Sequence, residues 1–125
     1  MRKLTALVLF LALSACGSAV APKTPAQALL EGRAALGVAT AAFNLYAGQR
    51  PFCGDPGAKA PPLCADRQVV IQGDKVAHQV ADAFDKAEVV INTTGVAELK
   101  WTALGDAIKQ LVSFQTFVTT AKGAN

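Results

Sequence analysis

The chain has 125 residues, 52% of them hydrophobic and 17% charged, which is enough for one small domain and excludes a large multidomain enzyme. Lys and Arg total 12 against 9 Asp and Glu, and without Arg2 and Lys3 at the extreme N-terminus the balance falls to 10 against 9. So small an excess leaves no electrostatic footprint for nucleic acid, while 25 alanines and few aromatics favour helices packed through thin side-chain layers.

The first segment, MRKLTALVLFLALSACGS, places two cations before an apolar run from Leu4 to Leu13 and closes on small residues and a cysteine. This is the three-part layout of an export signal. As a helix the run is roughly 15 Å long, about half a bilayer core of about 30 Å, so a permanent span is not expected. Leu13-Ser14-Ala15-Cys16 resembles the lipobox of bacterial lipoproteins. The resemblance implies that residues 1–15 are a signal peptide, that the Cys16 thiol receives a diacylglyceryl group, and that Cys16 becomes the first residue of the mature chain. Gly17, where lipoproteins retained in the inner membrane of enteric bacteria often carry Asp, implies sorting to the outer membrane. Two or more acyl chains anchor a protein durably, whereas one binds only marginally. Residues 16–24 then read as the lipidated N-terminus and a tether, GSAVAPKT, of up to about 27 Å.

Thr24-Pro25-Ala26-Gln27 signals a helix start: a hydroxyl cap, proline in the first turn, and Gln three residues after the cap. The spacing predicts a helix from Pro25 to Ala47, with Leu29, Leu36 and Phe43 recurring every seven residues, Ala39 and Tyr46 on the same face, and Gly32 permitting close approach. Gly48 and Pro51 end it. With Cys16 assigned to lipid, Cys53 and Cys64 remain as an even pair in an exported chain, and a disulfide between them closes the loop GDPGAKAPPL. A zinc site would need further ligands, and the spacing is not that of a thiol oxidoreductase, so neither metal nor redox chemistry is expected of the pair.

Asp66 caps a second helix from Arg67 to Ile91, with a seam at Val69, Gly73, Val76, Val80, Ala83, Ala87 and Val90 widened by Phe84 and Ile91. Its polar side, from Gln72 to Glu88, includes Asp82 and Lys86, which are spaced to pair. After a turn at Asn92-Thr93-Thr94-Gly95, a third helix from Val96 to Ala121 shows a stripe of Trp101, Leu104, Ile108, Leu111, Phe114 and Val118. The expected fold is all-α: a signal helix, then an antiparallel three-helix bundle over residues 25–122 with a disulfide-closed loop between its first two helices, and a tail at 123–125.

No catalytic residues and no metal ligands are expected. Asp74, His78 and Asp82 share a helix face but spread over about 12 Å, which suits a solvated surface better than one ion. Asp82 and Asp85 have a spacing common on exposed helices, with no cleft-forming element around them. Phe52 beside the stapled loop and Trp101 are the candidate partner anchors, since large aromatics dominate interfaces when exposed; Trp101 also lies on the core stripe, which favours its burial.

The lipobox at Cys16, the TPAQ entry at 24–27, Tyr46 ahead of Pro51 and Cys53, and Pro62-Leu63-Cys64-Ala65-Asp66 opening the next helix together resemble small Ala-rich lipoproteins of phage and prophage genomes in proteobacteria. That resemblance implies an envelope role, in phage release or in modification of the host surface. The C-terminal QTFVTTAKGAN is too polar for the membrane span of a one-chain spanin, and the chain lacks the proline-rich character of the small spanin subunit. The expectation is therefore a non-enzymatic lipoprotein facing the periplasm, with no cofactor beyond covalent lipid on Cys16. It would act as a binding or adaptor module toward an envelope or phage protein, with self-association through heptad seams as a further partner class. The alternative is a lysis-associated effector that perturbs or bridges envelope layers.

Overall fold

A computed structural model describes residues 24–49, 51–60 and 63–123, and within them the chain forms three α-helices: α1 (Pro25–Ala47), α2 (Arg67–Thr93) and α3 (Ala97–Gly123). The expected signal peptide, the lipobox and most of the tether lie outside the described residues, as do Pro61, Pro62 and the last two positions. The all-helical class and the boundaries of α1 follow the sequence reading. Thr24 Oγ1 accepts from the Gln27 N–H at 3.2 Å, and Pro25 occupies the first turn, where its missing N–H leaves no bond unmade. Asp66 caps α2 by accepting from the N–H groups of Gln68 and Val69, at 2.8 and 3.2 Å. Three ends differ slightly from expectation. Helix α2 continues two residues past Ile91 before Thr94 ends it, and α3 starts at Ala97 rather than Val96 and runs to Gly123 rather than Ala121.

The helices pack through reciprocal notches. Phe84 of α2 seats its ring over Gly32 of α1, and Phe43 of α1 seats its ring over Gly73 of α2, where Phe117 of α3 also arrives. In each helix the glycine and the phenylalanine are eleven residues apart, about three turns, so both fall on one face. The pairings 32 with 84 and 43 with 73 run in opposite directions, which makes α1 and α2 antiparallel. Helix α3 returns antiparallel to α2, since Gly73 meets Phe117 near one end while Ala87 and Val90 share a groove with Ala103 and Asp106 toward the other. Phe43 is the aromatic hub, with ring centroids 6.4 Å from Tyr46, 6.1 Å from Phe114 and 6.2 Å from Phe117. Phe84, Phe114, Leu104 and Val80 fill the centre and are fully buried.

The first connection is held at both ends. Cys53 and Cys64 are disulfide-bonded, with Cα atoms 5.0 Å apart. The Cys53 N–H donates to the Ala65 carbonyl at 3.1 Å, and the Tyr46 hydroxyl accepts from the Asp66 N–H at 2.9 Å, tying the end of α1 to the cap of α2. Gly54 and Gly57 adopt positive φ, 88° and 80°, which is why the loop carries glycine at those turns. Gly48, by contrast, ends α1 in a right-handed conformation with its N–H bonded to the Asn44 carbonyl.

Two expectations about this layer are corrected. Trp101 and Ile108, placed on the core stripe of the third helix, are 42% and 38% exposed. Their places are taken by Ala107 and Ala121, which with Leu104, Leu111, Phe114 and Val118 make up the buried face. The smaller alanines let α3 approach its neighbours closely, and the buried line rotates away from the larger side chains.

Gly73→Ala puts a methyl group inside the rings of Phe43 and Phe117, and overpacking of this kind costs roughly 1–3 kcal/mol, outweighing the gain in helix propensity of about 1 kcal/mol. Gly105→Ala meets nothing within 4 Å, so it should stabilise by up to about 1 kcal/mol. Urea titration of the two variants should move the midpoint in opposite directions. Replacing Cys53 and Cys64 together by alanine should lower stability by about 3 kcal/mol in the same assay, the chain-entropy value for a loop of this size.

Candidate functional site

The sequence offers four places where chemistry or recognition could reside, and the structure separates them. Cys16, with Leu13, Ser14 and Ala15, lies outside the described residues. Cys53 and Cys64 are joined to each other, so neither offers a free thiol. Phe52 is 6% exposed, and the Arg67 guanidinium lies 4.5 Å from its ring centroid. Asp55 holds Arg67 there, with its Oδ2 3.4 Å from an Arg67 nitrogen. This corrects the placing of Phe52 among exposed anchors. The loop folds back so that the ring closes the end of the bundle under a cation. Trp101 is the other anchor candidate, and it does reach solvent.

The outward face of α2 is a solvated surface, mostly charged, with Ile71 and Val89 exposed toward its two ends. Asp74, His78 and Asp82 are all exposed, and only the first two come near each other, with His78 Nε2 3.8 Å from Asp74 Oδ1. Among the described residues no three His, Cys, Asp or Glu side chains are grouped so as to hold a metal ion. Asp82 and Lys86, spaced to pair, instead line a shallow depression with Gln79, Ala83 and Gln110. The ion pairs that join helices lie along the α1–α2 edge. There Arg33 of α1 donates to Asp85 at 2.8 Å and also to Glu88. All three side chains are substantially solvated, so this pairing contributes at most about 1 kcal/mol and serves chiefly to neutralise the edge.

What the sequence reading missed is the outer face of α1. Leu30, Val38 and Leu45 are 68%, 72% and 76% exposed, and Ala34, Gly37 and Ala41 between them are exposed as well. They form one line on the side of α1 opposite Gly32, Ala39 and Phe43. A helix apolar on one side and polar on the other would leave such positions polar; α1 is apolar nearly all round. The signal was present in the sequence: from Ala34 to Ala47 there is no charged residue, although α2 over a similar length is densely charged.

A second exposed apolar line runs along α3 through Trp101, Ile108 and Val112. The opposite flank of α3, at Ala103, Asp106, Ala107 and Gln110, shares its groove with α2, so this line falls on the flank next to α1. The two outer lines therefore belong to one side of the molecule, and the charged face of α2 belongs to another. An exposed apolar area spanning two helices is larger than scattered surface leucines require, and such areas mark interaction surfaces. Among the described residues, no helix is long and apolar enough to cross a membrane.

Trp101 is the one tryptophan of the chain, so its fluorescence reports on this face without interference. In dilute protein, where each copy stands alone, its emission should be quenched efficiently by acrylamide, and Trp101→Ala should there cost little stability, under about 1 kcal/mol, as for an exposed side chain. A blue-shifted, quencher-resistant emission from the dilute folded chain would show the indole covered within one copy.

Comparison with models of known protein families, with curated proteins and with solved structures returns no match.

Proposed function

We propose that the protein is a non-enzymatic lipoprotein of the bacterial envelope, anchored through Cys16 and presenting its helical bundle as a binding module on the periplasmic side, in the outer membrane. The carrying observation is the lipobox-like Leu13-Ser14-Ala15-Cys16 at the end of a signal-like apolar run, followed by a short tether of mostly small residues into the helix entry at Thr24. The anchoring chemistry is additive: each buried methylene of an acyl chain contributes about 0.8 kcal/mol, so several chains on one residue hold a small domain at a bilayer. The disulfide-closed loop is consistent with an oxidising compartment, where such bonds persist.

The apolar outer side of α1 and α3 is the part of this module suited to protein contact. Its side chains are large enough to bury area, and they stand on rigid helices, so little conformational entropy is lost on docking. A phage or prophage origin accords with the resemblance of the chain's layout to that class of lipoprotein, and the partner on this reading is another envelope or phage protein.

Expression of the full chain and of its Cys16→Ala form in a Gram-negative host, with radiolabelled palmitate, tests the reading. Label should enter the wild-type product, which should fractionate with outer membranes. The variant should remain unlabelled and unprocessed. Growth should continue normally in both cultures. An unlabelled, processed wild-type chain released by osmotic shock would overturn the anchor. Lysis that depends on Cys16 would instead identify a lysis effector.

A further inference from the structure

We propose that the outer face of α1 is a homodimer interface, in which a second copy packs its own α1 antiparallel across a two-fold axis between Gly37 and Val38. The inference is independent of whether Cys16 carries lipid. It starts from the order of residues along the exposed line. About the midpoint between Gly37 and Val38, Leu30 is matched by Leu45, Ala34 by Ala41 and Gly37 by Val38, so the line is large at both ends and small inside them, with each central Val38 facing the other copy's Gly37. An isologous two-fold contact requires that kind of self-complementarity, because each residue meets its symmetry mate's counterpart. Gly37 leaves room for the other copy's Val38, Ala34 and Ala41 on either side let the two helix backbones approach closely, and the leucines at the ends close over the contact.

Charge favours a second copy over other occupants. Residues 34–47 contain no ionisable acid or base other than the buried Tyr46, so over most of this line self-pairing brings no charge into the contact; the exposed Glu31 beside Leu30 stands opposite the neutral Asn44 of the second copy. A helix lying in a lipid interface is characteristically rimmed with Lys and Arg. Helix α1 has one such cation, Arg33, and it is already engaged by Asp85 and Glu88 on the α2 side.

The available area is also sufficient. Helix α1 is 23 residues, about 35 Å, and the apolar line of α3 lies alongside it. Two adjacent helices about 20 Å wide present about 700 Å² of face per copy, close to the roughly 800 Å² per partner of a standard stable interface. Trp101, Ile108 and Val112 thus extend the contact beyond α1.

Single cysteines in the full chain test the arrangement, using a short bismaleimide on intact cells and non-reducing gels. The parent chain, with Cys16 and the bridged pair, gives the background, and Asp82→Cys on the exposed face of α2 is the control. Val38→Cys lies at the axis and should yield about tenfold more cross-linked dimer than Asp82→Cys, because the interface raises the local thiol concentration. Leu30→Cys and Leu45→Cys should each remain monomeric alone, since like positions stand about 22 Å apart in the antiparallel pair, and should cross-link when co-expressed. Dimer yield from Val38→Cys no higher than from Asp82→Cys overturns the proposal, as does its transfer to a product of different mass. Self-linking of Leu30→Cys as efficient as that of Val38→Cys overturns the antiparallel arrangement. All three positions are exposed in the single copy, so loss of folding does not enter the comparison.

Discussion

The structure depends on two phenylalanines that each need a glycine on the facing helix. Phe84 has room only because residue 32 lacks a side chain, and Phe43 only because residue 73 does. Each of these two helices therefore supplies one ring and one notch, three turns apart, and a ring shifted off its glycine would meet a side chain where the notch had been. Register is over-determined as a result. The same register brings Arg33 within reach of Asp85 and Glu88 at one end, and brings Tyr46 to the amide of Asp66 at the other. The disulfide closes the loop at the end where Tyr46 already fixes the two helices, so it reinforces an alignment that packing sets.

Close packing of this kind has a consequence for the surface. A small three-helix domain built on alanine and glycine layers has little interior volume, and the core is filled by a few large rings, chiefly Phe43, Phe84 and Phe114. The remaining apolar residues have nowhere inside to go. On α2 the outward positions are mostly charged, with Ile71 and Val89 exposed among them. On α1 and α3 large apolar side chains stand in solvent in continuous lines, Leu30, Val38 and Leu45 on one helix and Trp101, Ile108 and Val112 on the other, chiefly on the side away from α2. Natural sequences keep such faces polar unless the face is used, because exposed apolar area invites association. The asymmetry between one charged side and one apolar side is therefore the feature of the fold that bears most directly on function.

How far this was legible in the sequence depends on which local rule each residue obeys. Thr24, Pro25 and Asp66 announce helix starts through cap chemistry that needs no tertiary context, and they cap as read. Gly73 stood in the expected seam, and Gly32 was marked for close helix approach. Phe84 and Ile91 were ranked as flanking residues, whereas they are more buried than Val69 and Val76, because the glycine notches draw the contact line toward Phe84. Trp101, Ile108 and Phe52 were misplaced for a related reason. Hydrophobic size suggests what a helix can bury, but the position of its neighbours decides it, and here Ala107 and Ala121 win the interior. Phe52 reads as a loop aromatic until the fold of the stapled segment brings Arg67 over its ring. On α1 the outer face is hard to tell from the buried one by periodicity, since a helix with two apolar sides shows little contrast between them.

The proposed anchor and the proposed interface constrain each other geometrically. In an antiparallel α1 pair the two Pro25 ends lie about 35 Å apart along the helix axis, whereas a tether from Cys16 to Thr24 spans at most about 27 Å. With α1 upright on a membrane, one copy's tether would have to bridge the whole helix length, and it would fall short. With both α1 axes along the membrane surface, each helix start lies at the same height and both tethers reach. The proposed lipidation of both copies at Cys16 and the proposed pairing through Val38 are therefore compatible only while the α1 axes stay within about 50° of the membrane plane. When they lie flat and side by side, the two-fold axis stands perpendicular to the bilayer. Because each outer face of α1 is covered by its partner in that arrangement, the charged surface of α2 is left as the face turned outward from the pair.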